Sequence, residues 1–315
     1  MSGDATMLQA RPDRRHVVVG LVACALLVAC ALGLQAVREA RYRIASDDAP
    51  LMYVTSGVSA NRLALSYHAL LADVYWIRAI QHYGDTRLSA SPTKQYSALY
   101  PLLDLATSLD PRFTIAYRFG AIFLAEPFPD GAGRVDQAIA LLNKGLAAEP
   151  TKWQYAQDAG FVYYWWLQDY KQAAMWFDKA SRIAGAPWWL RSLAATTLTQ
   201  GGDRRSSRVL WMQLYETAED DWVRTNARLK LAQLDALDEI DQLAALVARY
   251  HQSAGGSPRD WEALRGAGLL NAVPTDPSGV PYLLDPDQPG GVTIAPTSKL
   301  YPLPRQFVRK AGPPS

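Results

Sequence analysis

The 315-residue sequence is poor in cysteine and histidine and carries almost no net charge. Its two cysteines, Cys24 and Cys30, both lie in an apolar N-terminal run, so the rest of the chain offers no thiolate metal site and no disulfide. The formal charge of +2 comes from 32 basic and 30 acidic residues that are interspersed. Because no continuous basic face is available for phosphate groups, we predict no nucleic-acid partner.

The four histidines form no catalytic or metal-binding pattern. His16 precedes the apolar run, and His68, His82 and His251 stand singly, without His-Glu-x-x-His spacing. Three consecutive carboxylates at 219–221 are typical of a helix N-cap and first turn. We therefore predict that the protein is not an enzyme and has no catalytic residue, no metal site and no cofactor.

An apolar run without any charged residue extends over 17–37. At about 1.5 Å of rise per residue, a helix of this length spans roughly 30 Å, the thickness of a hydrocarbon core. Three arginines stand on each side of the run, so the charges do not decide its orientation. We predict a cytoplasmic stub at 1–16 and one transmembrane anchor at 17–37, with the soluble part outside the cytoplasm at a bacterial inner membrane.

Two alternatives for this segment stay open. A cleaved signal peptide would share the charged start and the apolar stretch. The residues Leu-Val-Ala-Cys at 27–30 resemble the lipobox of bacterial lipoproteins, which implies a lipidated Cys30 as the first mature residue. The same four residues occur at 21–24, and the sequence stays apolar over 31–34, where a lipoprotein usually turns polar.

Helical periodicity begins after a linker at 38–57. Apolar residues over 58–83 form one broad face, which predicts a long first helix that Gly84 and Asp85 end. Further on, the segments 105–111, 138–150 and 169–180 share one order of small and apolar positions, and 202–207 opens a fourth copy. Their small residues Ala138, Ala173 and Ser207 are 35 and 34 residues apart.

This pattern resembles the tetratricopeptide repeat, a helix pair with a period of about 34 residues. The resemblance covers roughly 93–217, and a loop rich in proline and glycine at 126–133 explains one longer interval. It implies an all-α fold in which helix-turn-helix units stack into a right-handed solenoid over 58–252. A further helix pair at about 220–252 would close the stack.

The resemblance also implies a binding groove. In that family the first helix of each pair lines the concave face, and a small residue marks where the two helices cross, here Gly120, Gly160 and Ala195. Counting from these landmarks gives the predicted groove residues: Tyr117, Leu124, Gln154, Gln157, Phe161, Tyr164, Trp189, Ser192 and Thr196. The set is aromatic and polar but uncharged, which suits an extended peptide or a helix.

We therefore predict a membrane-anchored scaffold or adaptor that binds protein partners in a bacterial envelope assembly or secretion system. The alternative is a lipoprotein or accessory subunit that binds a small ligand or glycan in the aromatic groove. A closed pocket lined by Trp165, Trp166 or Trp189 would favour this alternative, and an open groove would favour peptides.

The C-terminal part changes in composition, since eleven of the twenty prolines lie between 256 and 315. The heptapeptide Asp276-Pro-Ser-Gly-Val-Pro-Tyr282 resembles the turn in the tail of type II secretion pseudopilins, and the likeness extends over 253–300. Asp285 and Asp287 alone are too few ligands for a calcium cage. We predict a β-hairpin between Pro274 and Val292 that docks on the last helices, followed by a loose tail at 301–315.

Overall fold

The computed structural model describes residues 14–41 and 66–307. This part of the chain is mostly helical and contains a small two-stranded sheet, which confirms the all-α class. Two compact units, Met1–Tyr53 and Val54–Ser315, divide the chain. Predictions for four stretches lie outside the described residues: 1–13, 42–57, 58–65 and 308–315.

The first unit contains helix α1, Arg14–Arg41, which covers the predicted anchor at 17–37. Its sequence has no acidic residue in the first turn and is apolar through its middle. Large apolar side chains in this middle part, such as Leu26, Leu27 and Leu32, are exposed. Within the described ranges, no helix is both long and apolar enough to cross a membrane.

The second unit begins with helices that pack in sequential pairs, each helix lying against its neighbours along the chain. The pairs are α2 (His68–Leu88) with α3 (Leu99–Leu109), α4 (Thr114–Ala125) with α5 (Val135–Ala148), α6 (Trp153–Val162) with α7 (Tyr170–Ser181), and α8 (Trp189–Gln200) with α9 (Arg204–Thr217). Residues 126–134, between α4 and α5, are not helical, as the sequence predicts.

Small residues occupy the positions where these helices approach each other most closely. A Cβ atom built on Gly120 would lie 2.8 Å from Leu103 Cδ2, and one on Gly145 would lie 3.0 Å from the ring of Tyr117. Ala138, Ala173 and Ser207, which set the 35- and 34-residue spacing, are all fully buried. Their spacing therefore reflects a recurring close contact between helices.

Two helix boundaries differ from the prediction. Helix α2 continues through Gly84 and Asp85 to Leu88, because one glycine costs a helix only about 1 kcal/mol. Its last turn is held by Arg87, whose Nη1 donates to Glu126 Oε2 at 2.9 Å. The predicted helix pair at 220–252 is wrong, since α10 runs unbroken over Asp221–Ala254. That stretch contains no glycine or proline, and Gly255 ends it in the left-handed region with φ of 70°.

A π-helical turn, Tyr163–Leu167, extends α6 and ends at Gln168, whose φ is 50°. The turn inserts one residue between the small residue of the first helix and that of the second: Gly160 precedes Ala173 by 13 positions, whereas Ala195 precedes Ser207 by 12. A π-turn accommodates one extra residue without breaking the helix. The helix contacts therefore keep their register despite the insertion.

The C-terminal segment packs on one side of α10. It contains α11 (Trp261–Gly266) and an antiparallel ladder of β1 (Leu283–Leu284) with β2 (Val292–Thr293). Tyr282 donates from its hydroxyl to Glu239 Oε2 at 2.6 Å, and its carbonyl accepts from Trp261 Nε1 at 2.8 Å. The predicted hairpin on the last helices is therefore present, although its strands are only two residues long.

Asp276 organises the turn at the start of this hairpin. Its Oδ1 accepts from the backbone N–H groups of Ser278 at 2.8 Å and Val280 at 3.1 Å, and Ser298 also donates to its carboxylate. Burial opposes ionisation of Asp276, but these hydrogen bonds outweigh it and hold the pKa below its usual value. The heptapeptide thus forms a turn closed by one charged side chain.

The prediction of a loose tail is wrong for 301–307. The buried Gln233 of α10 donates from Nε2 to the carbonyls of Leu300 at 2.9 Å and Pro302 at 3.0 Å. Phe307 donates from its backbone N–H to Gln200 O at 2.7 Å, and its ring stacks on Tyr170. Backbone hydrogen bonds therefore tie this stretch to the array even though its sequence is rich in proline.

Candidate protein-binding face

The first helices of the pairs, α2, α4, α6 and α8, lie side by side. Trp76 of α2 stacks on Phe123 of α4. Arg118 of α4 pairs with an aspartate of α6, and Trp153 of α6 meets Trp189 of α8 edge to face at 6.4 Å. We call the solvent-facing side of these four helices the first-helix face.

Burial fixes the register of this face. In each of α4, α6 and α8, three fully or almost fully buried residues recur with the same spacing: Ala116, Gly120 and Ala121 in α4; Tyr155, Ala159 and Gly160 in α6; Leu190, Ala194 and Ala195 in α8. The residue of α4 that matches Gly160 and Ala195 is therefore Ala121. Taking Gly120 as the landmark shifts the predicted groove by one residue in this helix.

Two predicted groove residues of α4 are wrong, and the shift explains one of them, Tyr117. Tyr117 and Leu124 are both 0% exposed, so they belong to the core between the helices. The hydroxyl of Tyr117 donates to the carbonyl of Thr107 at 3.3 Å, and burial raises its pKa to about 12. With Ala121 as the landmark, the positions that match the four predicted groove residues of the third pair are Ile115, Arg118, Ile122 and Ala125, and Ala125 is buried, as Leu124 is.

The other predicted residues lie on α6, on the π-helical turn that extends it and on α8, and they differ in accessibility. Gln157 is only 9% exposed, and Gln154 has a buried Oε1 without a hydrogen-bond partner in the described part of the chain. Tyr164 donates to Gln200 Oε1 at 2.9 Å. The partly exposed members are Gln154, Phe161, Tyr164, Trp189, Ser192 and Thr196. Their role as partner contacts stays a prediction.

Apolar side chains that the sequence reading missed are exposed on α2 and α4. Leu70, Val74 and Ile77 follow one another at helical spacing on the side of α2 opposite its buried residues. On α4, the exposed residues Ile115, Phe119 and Ile122 repeat the arrangement. Both helices are apolar on two sides, and the sequence alone did not show which side faces the core.

One ion pair lies beside the apolar stripe of α4. Arg118 donates from Nε to Asp158 Oδ2 at 2.5 Å and from Nη2 to Asp158 Oδ1 at 3.0 Å. This is a bidentate salt bridge, the stronger geometry for an arginine and a carboxylate. Burial raises the pKa of Asp158, and the bonds from Arg118 only partly offset this effect. The pair joins α4 to α6 and leaves the face without a free charge at this point.

No group of three or more histidine, cysteine, aspartate or glutamate residues in the described part could hold a metal ion. A cavity of about 370 Å³ lies on α9, where Arg205, Arg208, Val209, Met212 and Gln213 line it. None of its lining residues is a tryptophan or lies on a first helix. No protein-family model, curated protein or solved structure matches the chain.

Proposed function

We propose that the protein is a membrane-tethered scaffold whose helical array binds protein partners through the first-helix face, without catalytic turnover. The observation that carries this proposal is the exposed apolar stripe on each of two neighbouring helices, α2 and α4. Large apolar side chains that are grouped on a solvent-exposed surface mark sites where another molecule binds. Their helical spacing suits an amphipathic helix or an apolar peptide.

The repeat architecture supports the proposal. Helices that pack mainly on their sequence neighbours, with small residues at each close crossing, fit a right-handed solenoid of tetratricopeptide type. In such an array the first helices form one continuous surface, so partners would contact several pairs at once. The face is apolar on α2 and α4, and it is polar and aromatic on α6 and α8.

Membrane attachment is part of the proposal and rests on the uncharged run at 17–37 and on the exposed leucines of α1. We also propose that the array stands outside the cytoplasm, in an envelope assembly or secretion system. The turn at 276–282 supports this setting only through its resemblance to pseudopilin tails. Alkaline extraction of membranes tests the attachment, because a spanning chain stays in the pellet whereas a peripheral one is released.

The alternative, a small-ligand or glycan site, would need tryptophans around a closed pocket. Trp165 is 64% exposed, and the cavity on α9 is lined by arginines, aliphatic side chains and one amide. The exposed apolar side chains of the first-helix face therefore support peptide binding better than the exposed tryptophans support a small-ligand pocket.

The test compares two glutamate substitutions at equally exposed sites. Phe119 on the first-helix face is 51% exposed, and Met175 on the second helix α7 is 57% exposed. We expect Phe119→Glu to remove the partners that the full chain retains from detergent-solubilised membranes, because a charge in an apolar contact is costly to desolvate. Met175→Glu should retain them.

Quantitative mass spectrometry measures which proteins are retained. Circular dichroism shows that both variants are folded. Ile77→Glu on α2 provides a second probe of the same face. The proposal is wrong if the same proteins are retained by the wild type, Phe119→Glu and Ile77→Glu, or if Met175→Glu loses them equally.

A further inference from the structure

Two exposed tryptophans form an open aromatic corner at the starts of α8 and α10. Trp188 is 56% exposed and Trp222 is 62% exposed. Their ring centroids are 5.5 Å apart, and the ring planes meet at 78°. Both side chains are more than half exposed, so a group that approaches from solvent could contact the two rings together.

Three carboxylates directly precede Trp222 in the chain. Asp220 caps α10 and accepts from the backbone N–H of Trp222 at 2.7 Å, and Asp221 pairs with Arg224 at 3.0 Å. Glu219 is exposed and makes no hydrogen bond or ion pair within the described residues. Two guanidinium groups, of Arg224 on α10 and of Arg191 one turn after Trp188 on α8, stand against these three carboxylates, which leaves a net negative charge near the corner.

Indole faces and carboxylates favour the same kind of ligand. The ring quadrupole attracts a cation over its face, and nearby negative charge adds a longer-range attraction. A neutral apolar group would gain from the rings alone and would be indifferent to Glu219. We propose that this corner binds the guanidinium or ammonium group of an arginine or lysine side chain on a partner protein.

This site is distinct from the first-helix face. The stripes on α2 and α4 are apolar, and Arg118 beside the stripe of α4 is paired with Asp158. The corner belongs to the other end of the array, at the beginnings of α8 and α10. A partner could therefore use one site without the other, and the two sites can be tested separately.

The test uses the full chain in detergent, labelled with ¹⁵N-tryptophan, so that each of the ten indole N–H groups gives a signal. Single Trp→Phe variants at 188 and 222 assign the two signals of the corner. We expect a short glycine peptide with two arginines to shift both signals saturably, and the same peptide with uncharged citrulline to leave them in place.

Trp165 is the internal control, because it is 64% exposed and also meets an aromatic ring, Tyr164, edge to face. Its signal should not move. Trp222→Leu should weaken arginine-peptide binding about two- to fivefold, the equivalent of one exposed cation–π contact. Glu219→Gln should weaken it as well, and added salt should then have less effect.

Equal shifts with the citrulline peptide would show an apolar site and overturn the proposal. So would the absence of any saturable shift with the arginine peptide, or equal movement of Trp165. Because Phe119→Glu does not touch this corner, the same titration on that variant should be unchanged, whether or not the first-helix face binds its partners.

Discussion

Phe177 lies so close to Gly160 that a Cβ atom at position 160 would come within 2.5 Å of its ring carbons Cδ1 and Cε1. Gly160 belongs to α6 and Phe177 to α7, the two helices of the third pair. Phe177 is fully buried within an apolar cluster that also includes Ala156, Ala173 and Leu190. The ring thus fills the space that the missing side chain of Gly160 leaves.

We expect Gly160→Ala to destabilise the protein. The added methyl group forces the ring of Phe177 or the helix backbone to shift, and overpacking of this kind costs about 1–3 kcal/mol. Chemical unfolding of the full chain followed by circular dichroism measures the change. Phe177→Leu combined with Gly160→Ala should recover part of the loss, because the smaller side chain makes room.

Gly84→Ala is the matched control. Gly84 also lies inside a helix, α2, but nothing stands within 4 Å of a Cβ built there. Alanine is the better helix former, so this variant should gain about 0.5–1 kcal/mol. A loss of stability in both variants, or in neither, would contradict the idea that close helix contact selects glycine at position 160.

These two glycines show what the sequence could and could not predict. Small residues at a regular spacing indicated the helix pairs because a close crossing excludes larger side chains. Sequence alone does not separate a glycine at a helix crossing from one that only lies inside a helix, so the pattern predicts a helix end at Gly84, where α2 continues. In α4, Gly120 and Ala121 are both small and both buried, and only the burial pattern shows which of them matches Gly160.

The candidate face was predicted less well than the fold for a related reason. Helix α4 is apolar around most of its circumference, so periodicity did not separate Phe119, which is exposed, from Leu124, which is buried. The packing of 301–307 was missed for a different reason, because many of its contacts are backbone hydrogen bonds, which no side-chain pattern reveals. Gln233, a polar residue inside an otherwise apolar stretch of α10, was the available signal.

The pair of Arg118 with Asp158 predicts a dependence of stability on pH. The pKa of Asp158 is raised in the folded state, so its contribution to stability is present below its unfolded pKa of about 3.9 and is lost as the pH rises through the folded pKa. Arg118→Leu removes the cation that opposes this shift. The loss of stability on going from acid to neutral pH should therefore become larger and extend to higher pH.

At neutral pH we expect Arg118→Leu to cost about 2 kcal/mol, since it leaves a mostly buried carboxylate without its charged partner. Asp158→Asn should remove the part of the pH dependence that Asp158 contributes, which urea unfolding of the variant and the wild type at a series of pH values can measure. Arg134→Leu is the control, because its pair with Asp136 is exposed on both sides and should matter little. If Arg118→Leu and Arg134→Leu lower the free energy of unfolding equally, the buried pair of Arg118 with Asp158 contributes no more than an exposed one.

Gln233 is expected to hold the stretch 300–307 on the array. Its side chain is buried, and replacing it with leucine leaves the carbonyls of Leu300 and Pro302 without their donor, at a cost of about 1–3 kcal/mol. Because the same stretch reaches Gln200 and Tyr170 through Phe307, loosening it at Gln233 should expose the Phe307 amide as well.

Hydrogen exchange of the peptide that covers 300–307 measures this effect. Gln233→Leu should speed exchange there while the helices α4 to α8 keep their protection. Gln242→Leu, which changes an exposed glutamine of the same helix, should leave the exchange unchanged. Unaltered exchange at 300–307 in Gln233→Leu would mean that the ring of Phe307 and Gln306, which accepts from Arg204 at 2.7 Å, hold this stretch without Gln233.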